Sequence, residues 1–252
     1  MVFDKINPFA RSLFKVDVKG ETLEDKALDF FEEIYSYDDL KEIVYRGIIS
    51  DYNVNILLIG APATAKTLFI RSMSENLKNT IYFDAANSTG KGIIQQLEKY
   101  KNAKYILIDE IDKLTKEYQG PLLGLLETGE VNIAKKNVRV KFKMDNPKVF
   151  ATSNSIDKLI KPLKSRFNTY NLKEYTDEEF ILIAVRLLTV KYHFNSELAR
   201  FIAEVLLDCD ERDVRKVLHL AKLIRPKDDE RKIKKIIDTY LKYQDNDMTE
   251  FN

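Results

Sequence analysis

The segment Gly60-Ala61-Pro62-Ala63-Thr64-Ala65-Lys66-Thr67 follows a short apolar run and opens into a helical pattern. Its residue types are those that hold phosphate. In such a loop, backbone N–H groups at a helix N-terminus wrap the anion, a lysine reaches the outer phosphates and a hydroxyl holds magnesium. Gly60, Lys66 and Thr67 occupy the turn, lysine and hydroxyl positions, and Leu68 completes the stretch expected to line the nucleotide. Ala65 stands where glycine is usual before the lysine, and Ala63 where glycine is also frequent. A methyl group at 65 fits only if the backbone there keeps a negative φ. By itself the loop leaves a plain strand, turn and helix as the alternative.

A second group of residues removes most of that ambiguity. Tyr-Ile-Leu-Ile-Asp-Glu-Ile-Asp at 105–112 sets Asp109 and Glu110 at the end of an apolar strand, where the crevice of an open α/β sheet binds its ligand. Helix-start capping would require only one of the two acids. In a phosphoryl-transfer site the first can hold the magnesium shell and the second can polarise an attacking water. Two such motifs, in this order and separated by one further strand and helix, predict ATP as ligand, with Mg2+ held by Thr67 and Asp109.

The elements that must position these groups are legible from hydrophobic periodicity. Val54–Gly60 is a nearly continuous apolar run, expected for a strand buried on both faces of a parallel sheet. Further runs at Thr80–Phe83, Tyr105–Ile108 and Val149–Thr152 alternate with helical stretches at Gly92–Tyr100 and Lys113–Glu127, the order that builds a parallel sheet with right-handed crossovers. Ahead of them, Thr22 and Asp25 form a capping-box pattern for a helix over 22–36, and a second helix is predicted from Asp38 to Gly47. After residue 174 only helical patterns remain, at 176–188, 196–207, 211–224 and 227–243. The predicted domains are an N-terminal helical segment at 1–36, an α/β nucleotide-binding core at 37–173 and a helical lid at 174–252.

Composition agrees with a globular chain: 252 residues, 44% hydrophobic and 32% charged, with a formal net charge of +1. That charge excludes no partner, because a local basic patch can be balanced elsewhere. One cysteine, Cys209, and two distant histidines, His193 and His219, offer neither an internal disulfide nor a metal cluster. With no apolar stretch of membrane-spanning length, a cytoplasmic protein is expected, without a membrane partner.

Over about residues 37–225 the chain resembles the AAA+ family, whose fold is a five-stranded parallel P-loop sheet with flanking helices followed by an all-α lid. The resemblance implies ATP hydrolysis between subunits of a homo-oligomeric ring, usually a hexamer. It puts Asn154, at the end of VFATSN, at the sensor 1 position, and Arg166, in PLKSRF, at the arginine finger that serves a neighbouring nucleotide. ERDVRKVLHLAKL resembles the sensor 2 helix, with Arg215 the best match and Arg212 second; a solvated basic face, carrying Arg212, Arg215, His219 and Lys222, is the alternative.

Between the acids and Asn154, residues 131–143 read as a β-hairpin. Val138, Val140, Phe142 and Met144 alternate with Arg139, Lys141 and Lys143, and Lys135, Lys136 and Asn137 lie in the turn. This resembles the pre-sensor 1 hairpin of MCM helicases, RuvB and MoxR-type ATPases. The likeness implies a DNA-translocating or remodelling motor with Lys135 and Lys136 on DNA phosphates. A MoxR-like protein remodeller and a slow nucleotide switch or loader are the other readings. The first fifty residues are short for an MCM-like N-terminal module, so a protein partner is expected to supply targeting.

Overall fold

The computed structural model describes residues 22–62, 64–135, 138–225 and 228–244. The chain divides into two compact units, the first ending at Lys173 and the second beginning at Glu174.

The first unit opens with α1 (Leu23–Phe30). Its Thr22 side chain accepts from the Asp25 N–H while the Asp25 carboxylate accepts from the Thr22 N–H, the reciprocal cap its sequence predicts. The helix is shorter than the 22–36 expected. Phe31 and Ile34 leave the helical path to bury in the core, with the Phe31 and Phe69 rings 5.0 Å apart. Then α2 (Asp38–Ile49) runs past Gly47, where a helix end was expected. That glycine serves packing instead: a Cβ on it would lie 3.0 Å from the Ile56 Cδ1.

A five-stranded parallel sheet follows, with order β2-β3-β6-β1-β7. Its strands are β1 (Asn55–Gly60), β2 (Thr80–Asp84), β3 (Tyr105–Asp109), β6 (Lys148–Ser153) and β7 (Asn168–Leu172). Helices α3 (Lys66–Asn76), α4 (Gly90–Lys99), α5 (Lys116–Thr128) and the short α6 (Lys161–Lys164) make the crossovers. Alternate residues of β1 feed two separate cores. Ile56 and Leu58 pack with Phe69, Ile70 and Met73 of α3, whereas Leu57 and Ile59 pack with Ile93, Leu97, Leu122 and Leu125 of α4 and α5. Both faces are therefore dry, which explains the unbroken apolar run. Each side chain so buried contributes about 1.5–3 kcal/mol.

β7 has no such run. Its sequence, NTYNL, is polar because it lies at the sheet edge, paired only to β1 from Ile56↔Asn168 to Gly60↔Leu172. The predicted helix from Lys113 is also divided: Ile111–Lys113 forms a 3-10 turn and α5 starts at Lys116.

The expected hairpin is present as β4 (Glu130–Lys135) and β5 (Val138–Lys143), antiparallel from Glu130↔Lys143 to Lys135↔Val138. Gly129 ends α5 at φ +75°, and a Cβ there would lie 2.2 Å from the Met144 carbonyl oxygen. The absence of that atom lets Met144 donate its N–H to the Gly129 carbonyl at 2.9 Å and close the hairpin base. Val131 and Val140 are buried, and Lys141 and Lys143 are exposed. Lys136 and Asn137 lie outside the described residues.

The second unit holds α7 (Asp177–Tyr192), α8 (Ser196–Asp208), α9 (Val214–Leu223) and α10 (Glu230–Gln244). α9 starts three residues later than expected because the Asp213 side chain accepts from the Arg215 N–H as its N-cap. Arg212 therefore stands outside the helix, so it does not share one helical face with Arg215, His219 and Lys222. No helix among the described residues is long and apolar enough to cross a membrane.

Candidate nucleotide site

The phosphate loop begins where β1 ends. Gly60 lies against β7, and a Cβ on it would sit 2.8 Å from the Leu172 carbonyl oxygen, so the chain can turn here only without a side chain. The Lys66 ammonium folds into the loop and donates to the Gly60 carbonyl at 2.9 Å, the Ala61 carbonyl at 2.5 Å and the Thr64 hydroxyl at 2.9 Å. Lys66 is only 5% exposed. Pro62 is exposed beside it, and Ala63 lies outside the described residues.

Ala65 takes φ −68° and ψ 6°, so the conformation that would have demanded glycine is not used. Its methyl group is buried with Phe69 and Ile70. As N-cap of α3, Ala65 supplies no side-chain acceptor to the first helical turn. A helix N-terminus without such a cap suits an anion, which brings its own acceptors. Thr67 is exposed in that turn and Leu68 is half-buried.

Asp109 ends β3 and is 6% exposed. Its Oδ1 accepts from the fully buried Thr152 hydroxyl, whose oxygen in turn accepts from the Glu110 N–H at 2.9 Å. Glu110 adopts φ 53° and ψ 47°, a left-handed conformation that costs a non-glycine residue about 1–2 kcal/mol. It precedes the 3-10 turn, yet its side chain makes no capping bond. The Glu110 Oε1 instead accepts from Asn154 Nδ2 at 3.0 Å. The structure thus joins Asp109, Glu110 and Asn154 at the C-terminal edge of the sheet. Burial first, then the charges of Asp109, Asp84 and Glu110, push the nearby Tyr82 phenol above its ordinary pKa.

The loop hydroxyls and the Asp109 carboxylate are hard oxygen donors of the kind that Mg2+ takes. With the lysine and the uncapped helix end beside them, these residues fit a magnesium nucleotide.

Arg166 stands elsewhere. Its backbone carbonyl accepts from Asn55 Nδ2 at 3.2 Å, and Asn55 is the first residue of β1, whereas Gly60 is the last. At about 3.3 Å per strand residue, the two ends are about 16 Å apart. The guanidinium donates through Nη1 to the Pro162 carbonyl at 2.6 Å and through Nη2 to Glu127. Nε is buried without an acceptor among the described residues. Arg215, in the helical unit, forks onto its own cap, with Nη2 2.7 Å from Asp213 Oδ2, while Arg212 pairs with Asp177 at 2.8 Å and with Asp210.

Several contributors escaped the sequence reading. Thr152, Ser153 and Gln119 are buried polar residues in or beside apolar runs, and Asp112 is the third acid of the YILIDEID run. Gln119 bridges the Leu114 and Lys158 carbonyls and the Ile160 N–H. An acid inside an otherwise apolar run was the available signal for Asp112.

Residues 55–167 match the AAA domain of the dynein-related subfamily. The Lon protease of Borrelia duttonii (strain Ly) is 32% identical over 160 residues, covering 54% of this chain and 20% of that protein. The mitochondrial Lon protease homologue of Homo sapiens is 29% identical over 187 residues, covering 62% and 19%. The chain thus spans about a fifth of the length of these relatives. A solved RuvB from Thermotoga maritima, a lysine-to-arginine mutant, shares the fold with a TM-score of 0.58 at 18% identity, over 80% of this chain and 65% of that one. The matched domain begins with the strand that feeds the phosphate loop and ends just past Arg166, so it contains Lys66, Asp109, Glu110 and Asn154. Residues 55–167 thus match an AAA domain, and the chain has the fold of the AAA+ ATPases.

Proposed function

We propose that this chain hydrolyses ATP at sites completed between neighbouring copies in a ring, of hexameric size, and uses the cycle to translocate or remodel DNA. The observation that carries the hydrolytic part is the 3.0 Å bond from Asn154 Nδ2 to Glu110 Oε1 beside Asp109. Magnesium ATP would supply the phosphoanhydride to be cleaved, with its metal ion neutralising part of the phosphate charge. Thr67 and Asp109 would hold the ion. Lys66 exchanges its loop acceptors for phosphate oxygens, and the first turn of α3 donates its N–H groups. Glu110 orients a water for in-line attack and draws its proton, while Asn154 fixes the carboxylate that does so.

The placement of Arg166 at the opposite edge of the sheet favours action on a neighbour's nucleotide. Arg215, with Arg212 as the alternative, is the proposed sensor of the outer phosphate. The DNA part rests on the hairpin, whose solvent face carries Lys141 and Lys143 and in which Lys135, expected in the turn, ends β4 paired with Val138, next to Lys136 in the sequence. Lysines in such a row suit a phosphate backbone.

The similarity to Lon proteases favours a second reading, a polypeptide remodeller in the manner of MoxR-type ATPases. Turnover measured alone, with single-stranded, duplex and branched DNA, and with an unfolded polypeptide separates the two. DNA stimulation is expected; stimulation by polypeptide alone would replace the DNA reading. Glu110→Gln should keep nucleotide binding and lose turnover by about 10²–10⁴-fold. Unchanged turnover in that variant would refute the role of this carboxylate.

A further inference from the structure

We propose that Asp112 is a positioning residue of the hydrolytic site, acting on the attacking water through Asn154. The inference rests on the hydrolytic reading above. Asp112 lies in the 3-10 turn that immediately follows Glu110, and its side chain is 1% exposed. Its Oδ1 accepts from the Asn154 backbone N–H at 3.1 Å and lies 3.2 Å from the Ser153 hydroxyl. The Ser153 proton also has the Ser155 carbonyl at 2.9 Å, so the Asn154 N–H is the steadier donor. Oδ2 is buried with no hydrogen-bond donor among the described residues. The exposed Lys158 ammonium is 4.0 Å from it, beyond hydrogen-bond reach.

A carboxylate held in this state is costly, and an apolar residue of equal size would be better tolerated if packing were its only task. What the carboxylate does is join two separate loops. One end of the connection is the strained turn that presents Glu110; the other is the backbone of the residue whose side chain holds Glu110 Oε1. The closed path runs from Glu110 through Asp112 to the Asn154 N–H, then from Asn154 Nδ2 back to Glu110. Thr152 ties the same turn to the same strand from the other side, through the Glu110 N–H. Asp112 therefore sets the distance between Asn154 and Glu110 without touching substrate. Charge-assisted bonds of this kind hold a loop more stiffly than neutral ones.

The test is steady-state ATPase kinetics on the full chain, with nucleotide binding measured by calorimetry. Asp112→Ala should lower kcat about tenfold or more, the effect of one charge-assisted bond, and should leave nucleotide affinity within about threefold, because the phosphate loop is intact. Asp112→Leu, which fills the space and offers no acceptor, should behave alike. Asp112→Asn retains an acceptor and should restore kcat to within about threefold of wild type. In an Asn154→Ala background, Asp112→Ala should cost nothing further, since the group it positions is gone.

A full additional loss in that background would overturn the proposal, as would wild-type kcat in both Asp112→Ala and Asp112→Leu when Glu110→Gln is inactive. If both variants fail to fold by circular dichroism, Asp112 serves stability and the proposal fails. Wild-type turnover that Glu110→Gln leaves unchanged would instead refute the hydrolytic reading itself, and this role with it.

Discussion

The two ends of strand β1 are built for different relations to the nucleotide. At the Gly60 end, Lys66 is bonded within its own loop, while Thr152 links Asp109 to Glu110 and Asn154 bonds Glu110 directly, all within this chain. At the Asn55 end, Arg166 is held by Glu127 and the Pro162 carbonyl, about 16 Å of strand away. A preorganised site costs no reorganisation when charge develops, which is where catalytic stabilisation comes from. A guanidinium fixed on the far side of the sheet cannot contribute to its own site in that way. On the proposed shared-site reading, one copy would carry most of one site and a single piece of another.

The comparison breaks most sharply at the lysine and the arginine. Lys66→Ala should abolish nucleotide binding, since the phosphate charge loses its compensating ammonium. Arg166→Ala should bind nucleotide normally and lose about 10³-fold or more in turnover. Mixed with each other, the two variants should recover part of the activity, because some junctions then pair an intact finger with an intact loop. No recovery in any mixture, with assembly verified by sedimentation, would end the shared-site interpretation.

A smaller effect is expected away from both ends, at the hairpin. Lys135→Ala with Lys136→Ala should spare basal turnover and weaken DNA binding, lowering the salt slope by about 0.9 for each duplex phosphate that is no longer neutralised. Coincident anisotropy titrations for wild type and double variant would reassign these lysines to keeping an exposed turn soluble and would favour the polypeptide reading.

The smallest change concerns the phosphate loop itself. Because Ala65 has a negative φ and a buried methyl group, Ala65→Gly should leave nucleotide affinity within about twofold and lower stability by about 1 kcal/mol, through backbone entropy and reduced burial. Thermal melting and calorimetry measure the two quantities separately. Tighter binding would mean that the loop takes another conformation around phosphate.

Much of this arrangement is visible in one dimension. Local patterns mark Lys66 and Thr67 at a strand-to-helix junction and Asp109 with Glu110 at a strand end, because glycine, apolar runs and charged termini act over a few residues. The three inner strands, β1, β3 and β6, are equally plain, since two dry faces demand continuous apolar residues, and the edge strand β2 is still marked by Ile81 and Phe83, which bury. The β7 strand was not marked by any run, as an edge strand has one neighbour and a half-wet face.

What only the tertiary structure decided are relations between residues distant in the chain. The Asn154 amide is 44 positions from the Glu110 carboxylate it meets, Asp112 reaches 42 positions to the Asn154 N–H, and Arg166 finds Glu127 across 39. The sequence alone determined which chemical groups are present and which local elements present them. Which groups meet was decided by parallel pairing, since β3 lies beside β6 and β6 beside β1, bringing the ends of strands far apart in sequence to a single edge. Hydrogen bonds are short and directional, so that choice rests on ångström-scale packing of the whole sheet, and no periodicity along the chain records it.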